Sequence, residues 1–247
     1  MQNQPETTNK KSRISWIPLE GNPDVWNKLP SYYLVQLIHD NGVDPTWSFH
    51  DIYGFDPELL DLIPRPVTAI IFEFPTMTEN DTKFRKEQEK RILEQGQIVS
   101  HNVIYFKQTI YNACGMMALI HALANNKHLL THDTGVFREI IDKAEHSTVN
   151  ERIDLLEKNE RLAFIHEKAG KEGQTKAPEP ESLVEDHYTC FTKIDGDLYE
   201  LDGDKSFPIN HGPCEDLVEC AAKIMRETMK REPEKNNYSA MALSKQI

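Results

Sequence analysis

Cys114 is the residue in this 247-residue chain from which chemistry is most readily built. It follows Asn112-Ala113 and opens CGMMALIHALANN, whose nearly unbroken apolar character predicts a helix buried on most sides. Asn112 is expected to cap that helix, which sets the sulfur at the positive end of the helix dipole, where a thiolate is favoured. A thiolate nucleophile needs a base. His121, seven residues on, shares the helical face but lies about 10 Å along the axis, so it reads as a packing histidine. The base is expected from a hairpin instead. HYTCFTKI and DLYEL flank Asp195-Gly196, a dipeptide that favours a two-residue turn. Such a turn pairs Ile194 with Asp197, and counting back sets Thr189 opposite Asp202 and His187 opposite Asp204. These side chains share one face, and His187 with Asp202 makes a diagonal pair within reach of an imidazole–carboxylate hydrogen bond. Gln108, in the loop six residues before the cysteine, is placed to join the Cys114 backbone N–H as an oxyanion donor. This set of side chains suits acyl transfer through a cysteine. The competing interpretation is a buried inert cysteine beside ordinary strand-end and loop polar residues.

The elements that must position these residues alternate between helix and strand. Residues 1–13 are polar without hydrophobic period and read as a disordered leader. Asn22 with Pro23 starts a helical region that continues through SYYLVQLIHD to Asn41-Gly42. Trp47 to Ile52 alternates like a strand, DPELLDLI is a helical turn or two, and VTAIIFEF is apolar enough for a central strand. Glu79 to Gln95 reads as a solvated helix ending near Gly96, with charges that need no functional explanation. Two or three amphipathic helices are expected between Gly135 and Lys168, and then EKAGKEGQTKAPEPESLVED loses all period and reads as a long mobile loop. Phe207-Pro208-Ile209 is a short strand candidate, Glu215 to Arg231 a helix, and Asn237 to Ser244 a closing strand. Sheet segments on both sides of a helical middle suit one α/β domain over residues 14–247.

Composition narrows the function. With 28 basic against 40 acidic residues the formal charge is −12, which argues against nucleic acid and anionic lipid as partners. No apolar run approaches the roughly 18 residues needed to span a bilayer, and the polar start lacks the core of a signal peptide, so cytoplasm or nucleus is expected. The four cysteines (Cys114, Cys190, Cys214 and Cys220) form no CxxC pair and are expected as free thiols.

Gln108-Thr109-Ile110-Tyr111-Asn112-Ala113-Cys114-Gly115, then His187, then Asp195-Gly196-Asp197-Leu198-Tyr199-Glu200-Leu201-Asp202-Gly203 resemble the ubiquitin C-terminal hydrolase family of cysteine proteases. The resemblance runs from Trp16-Ile17-Pro18-Leu19-Glu20-Gly21-Asn22-Pro23 to Tyr238-Ser239-Ala240-Met241-Ala242-Leu243, and the length suits the short members. It implies a papain-like α/β (α+β) core, a mainly antiparallel sheet flanked by helices on both faces, with a crossover loop over the active site at about Lys168 to Asp186. It implies Cys114 as nucleophile, His187 as general base and acid, Asp202 as orienting carboxylate and Gln108 as oxyanion donor. The implied reaction releases small or flexible adducts from the C-terminal glycine of ubiquitin through a thioester, without metal or organic cofactor. Some members also act on a ubiquitin-like relative. Pro18, Leu19, Glu20, Gly21, Asn22 and Pro23, with Lys235, Asn236, Asn237, Tyr238, Ser239 and Ala240, fall on family positions that touch ubiquitin, whose basic tail suits an acidic protein. A monomer is implied. Met116 departs from the family's usual threonine, and Tyr188-Thr189-Cys190 from a more hydrophobic run. The second function carried forward is a protein that binds and stabilises ubiquitin with little turnover.

Overall fold

VTAIIFEF, the most apolar of the strand candidates, lies near the middle of a six-stranded sheet. The computed structural model describes residues 14–21, 37–76, 78–131, 134–171 and 186–245. The expected leader, the expected helix start at Asn22-Pro23 and residues 172–185, where a crossover loop is expected, fall outside these. The strands are β1 (Trp47–Asp51), β2 (Val67–Pro75), β3 (Asp186–Ile194), β4 (Asp197–Leu201), β5 (Ile209–Pro213) and β6 (Ser239–Lys245). Their order is β1-β6-β2-β3-β4-β5, and every neighbouring pair is antiparallel. The α-helices among the described residues are α1 (Pro57–Leu60), α2 (Glu79–Gln95), α3 (Cys114–Ala124), α4 (Val136–Ala144), α5 (Val149–Glu157), α6 (Glu160–Lys171) and α7 (Leu217–Arg231).

The sheet is covered on both faces, which is why β2 reads as a continuous apolar run. Ile71 joins Met241, Leu243 and Cys190 in the cluster formed with α3 and α4, whereas Ile70 and Phe72 join Phe191, Ala240 and Ala242 against α7. This alternation is the two-residue period of a strand with a hydrophobic layer on either side. Burying a side chain such as Phe72 contributes about 1.5–3 kcal/mol before ordering entropy is set against it. All residues of α3 are buried, which accounts for the absence of a polar stripe in its sequence.

The hairpin forms with the counted register, Ile194 opposite Asp197 through Cys190 opposite Leu201. Asp195 and Gly196 both take positive φ, 51° and 92°, the turn whose twist matches that of its strands. Asn102 Nδ2 donates to the Asp195 carboxylate at 2.9 Å and ties the turn to the loop after α2.

The structure corrects three smaller expectations. α6 continues to Lys171, beyond the point where the sequence loses its period. β5 begins at Ile209 instead of Phe207, because Pro208 has no N–H for the ladder; Gln97 accepts from Asn210 N at 3.0 Å and donates to Pro208 O at 2.7 Å, standing in for a strand neighbour. Cys214 and Cys220 are not free thiols but a disulfide, with Cα atoms 6.1 Å apart. The turn through Asp216, which caps α7 by accepting from Val218 N and Glu219 N, brings them together.

Candidate active site

Cys114 is the first residue of α3 and is 9% exposed. Ala113, not Asn112, stands at the cap position, and no side chain caps the helix. Asn112 instead takes φ 59°, a left-handed conformation that asparagine tolerates, because the chain must turn sharply between the bridge at Tyr111 and the helix. The first helical hydrogen bond runs from Met117 N to Ala113 O at 2.8 Å, so the amides of Cys114, Gly115 and Met116 precede it and face outward from the helix end. Met116 itself is fully buried in the core behind the cysteine.

The segment 14–21 crosses this helix end as a strap. Trp16 N donates to Tyr111 O at 3.0 Å and Tyr111 N to Ile14 O at 2.9 Å. Leu19 packs so closely on Gly115 that a Cβ there would lie 3.2 Å from Leu19 Cβ. Farther along the strap, His166 Nε2 donates to Ile17 O at 2.6 Å; burial lowers its pKa to about 4, and it stays neutral.

On β3, His187 Nε2 is 2.7 Å from Asp202 Oδ1, the diagonal partner reached through the hairpin. That leaves Nδ1 for the cleft, whose wall His187 shares with Cys114. Asp204 Oδ2 stands 3.8 Å from Nδ1. Burial alone would lower the His187 pKa, but the Asp202 carboxylate and Cys114 outweigh it and hold the imidazole well above its ordinary value. Burial would raise Asp202, and His187 together with Arg85 holds its carboxyl well below the usual range.

Arg85 is the contributor that the sequence did not reveal. Its guanidinium donates to Asp202 Oδ2 at 2.5 and 3.1 Å, leaving Oδ1 to His187, and its Nε lies 3.4 Å from Asp81 on the same helix. α2 is therefore not merely a solvated face: Asp81, Arg85 and Gln88 form an inward polar stripe, with Asp81 and Gln88 buried. Tyr105 Oη donates to Asp202 O at 2.9 Å, and Asp204 N donates to Asp202 Oδ1 at 2.9 Å. His121, fully buried with its pKa lowered to about 4 by burial, accepts from Phe106 N at 2.9 Å and takes no part in the cleft.

Gln108 lies across the cleft, pinned where its N–H donates to Gly203 O at 2.9 Å. Its Oε1 is buried with no hydrogen-bond partner among the described residues. Gln108, Cys114, His187, Asp186 and Asp204 line one cavity of about 450 Å³, with Thr76 and residues 109–112 completing the wall.

The terminal segments meet on the flank of this cleft. Tyr188 Oη donates to Leu19 O at 2.9 Å, and Ser239 Oγ donates to Glu73 Oε2 at 2.7 Å. A Cβ on Gly21 would come within 2.3 Å of Glu73 Oε2 and 2.8 Å of Ser239 Oγ, so a side chain there would displace those two groups. Asn237 Nδ2 donates to Asp186, Tyr238 stacks on Phe72 with ring centres 6.1 Å apart, and Ala240 is buried in β6. Pro18, Glu20, Lys235 and Asn236 lie along the same segments at partly or fully exposed positions, while Asn22 and Pro23 lie outside the described residues. Among the described residues no group of three or more His, Cys, Asp or Glu converges as metal ligands.

Over residues 16–230 the chain matches ubiquitin carboxyl-terminal hydrolase family 1, the C12 peptidases. A ubiquitin carboxyl-terminal hydrolase of Drosophila melanogaster is 40% identical over 233 residues, which is 94% of this chain and 98% of that one. Ubiquitin carboxyl-terminal hydrolase isozyme L1 of Rattus norvegicus is 38% identical over 231 residues, 92% of this chain and 97% of its own. The Trichinella spiralis UCH37 catalytic domain, solved bound to ubiquitin vinyl methyl ester, shares the fold with a TM-score of 0.69 at 20% identity, over 94% of this chain and 96% of that one. By a match that spans nearly the whole chain, the protein belongs to the ubiquitin carboxyl-terminal hydrolases of family 1, which are cysteine peptidases.

Proposed function

We propose that Cys114 is the nucleophile of this hydrolase, His187 its general base and acid, Asp202 the carboxylate that orients the imidazole, and Gln108 an oxyanion donor. As a member of its family the chain is a thiol-dependent ubiquitin C-terminal hydrolase. Ubiquitin is then the partner, as a monomeric enzyme's substrate, and the adduct is small or flexible. The observation that carries the residue assignment is that Cys114, at a helix start, and His187 line one cavity, with Asp202 2.7 Å from His187 Nε2.

His187 Nδ1 takes the thiol proton, and the sulfur attacks the carbonyl carbon of the terminal glycine. The carbonyl oxygen gains the electron pair and is held by the Cys114 N–H and the Gln108 amide. As the tetrahedral centre collapses, the carbon–nitrogen bond breaks and His187 passes its proton to the departing amine. Water, deprotonated by His187, then cleaves the thioester, releasing the ubiquitin carboxylate and restoring the thiol.

The alternative, a ubiquitin binder with little turnover, needs a misaligned base; the ring already held by Asp202 in the cavity that Cys114 lines favours the enzyme. Among the described residues no helix is long and apolar enough to cross a membrane. The residue assignment is tested with ubiquitin vinyl methyl ester, followed by peptide mass mapping. A single adduct on Cys114, lost in Cys114→Ala and slowed in His187→Ala, is expected; an adduct on Cys190 or equal labelling of the His187→Ala protein would overturn it.

A further inference from the structure

Asp204 stands at the mouth of the cleft and has no role in the steps above. Its carboxylate oxygen is 3.8 Å from His187 Nδ1, beyond hydrogen-bonding range, and its side chain is 55% exposed. The ring is oriented from its other nitrogen by Asp202. The main chain fixes Asp204 in place, since its N–H donates to Asp202 Oδ1 at 2.9 Å. Lys107, the nearby cation, donates instead to the carbonyl oxygens of Asp204 at 2.6 Å and Lys205 at 3.0 Å. Among the described residues, the cleft wall includes Asp186 and Asp204 but neither lysine nor arginine.

We infer that Asp204 is a specificity-determining residue that selects leaving groups carrying a second positive charge near the scissile bond, such as basic amino-acid amides or polyamines. The inference rests on the proposed roles of Cys114 and His187. In that mechanism the proton reaches the departing nitrogen from His187 Nδ1, so that nitrogen passes within about 3 Å of the ring. The first few atoms of the leaving group therefore travel past the Asp204 carboxylate, with Asp186 on the same wall. An ammonium about 5 Å from a partly exposed carboxylate gains enough for about a fivefold preference over a neutral group, and an anion loses a similar factor.

The test is hydrolysis of ubiquitin linked through its C-terminal glycine to lysinamide, glutamine amide and glutamic acid amide, which are similar in size and differ in charge. In the wild-type protein kcat/KM is expected to fall in that order, with the lysine-to-glutamate ratio above about tenfold at low salt and shrinking at about 0.5 M salt. Asp204→Asn should bring the ratio below about threefold, and Asp204→Lys should invert it. Because each ratio is internal to one protein, partial loss of folding in a variant does not affect it. A wild-type ratio near one with the glutamine amide turned over, or an unchanged ratio in Asp204→Asn, would overturn the inference alone. No hydrolysis of any of these amides would overturn the catalytic reading and the inference with it.

Discussion

At the residue scale the proposed mechanism depends on two buried groups whose ionisation is displaced in opposite directions, His187 upward and Asp202 downward. The leaving amine needs the imidazolium proton, so turnover should decline only as pH rises through the raised His187 pKa. In Asp202→Asn the attraction is lost while burial remains, and the alkaline limb of the kcat profile should move to lower pH; an unmoved limb would contradict the pairing. Asp202, with its folded-state pKa below the ordinary 3.8, contributes stability above that value, and the contribution is lost as pH falls through the depressed one. Arg85→Met leaves the second carboxylate oxygen buried and unpaired, which should destabilise the protein by about 3 kcal/mol in urea unfolding and lower kcat about tenfold through misorientation of Asp202. The pairing of His187 with Asp202 was legible in the sequence because a two-residue turn fixes everything paired beyond it. Arg85 was not visible, because its partner is 117 residues away and a polar stripe on a charged helix looks the same whether buried or exposed.

At the scale of elements, the loop after β4 sets the position of Gln108. A Cβ on Gly203 would lie 2.9 Å from Gln108 Cβ and 3.4 Å from its backbone N, so Gly203→Ala should push the glutamine out of register with the helix end. The expected result is a kcat reduced about tenfold or more with KM changed less than twofold, measured by steady-state kinetics. A rise in KM at constant kcat would place Gln108 in ubiquitin binding instead of oxyanion stabilisation. α3 and the hairpin were legible because apolar runs and turn dipeptides are local signals. The cap was misread because Asn112 has a second use: its tolerance of left-handed φ serves the turn into the helix, and the amides beside Cys114 are left free of a side-chain cap. β5 shifted because the Pro208 ring removes a donor that residue-type preference does not register.

For the whole molecule, the insertion of β6 between β1 and β2 closes the sheet with the end of the chain and brings the segment around Ser239 against the strap at Gly21. Period revealed VTAIIFEF as a central strand, and it lies near the middle of the six-stranded sheet. Composition and period could not reveal the strap or the Cys214–Cys220 bond, since both depend on contacts that no local pattern encodes. The net charge of −12 remains a property of the whole surface. Association with ubiquitin through its basic tail should therefore slow as ionic strength rises, so kcat/KM is expected to fall with salt while kcat stays within about twofold. A kcat that falls in parallel would point to a change in the site itself.

The most direct measurement is release of fluorophore from a ubiquitin C-terminal amide by the wild-type protein beside Cys114→Ala and His187→Ala. The assignment predicts turnover by the wild type, none by Cys114→Ala, a deep loss in His187→Ala, and ubiquitin binding retained by both variants. Turnover that survives in Cys114→Ala, or a folded wild type that binds ubiquitin and releases nothing, would contradict it.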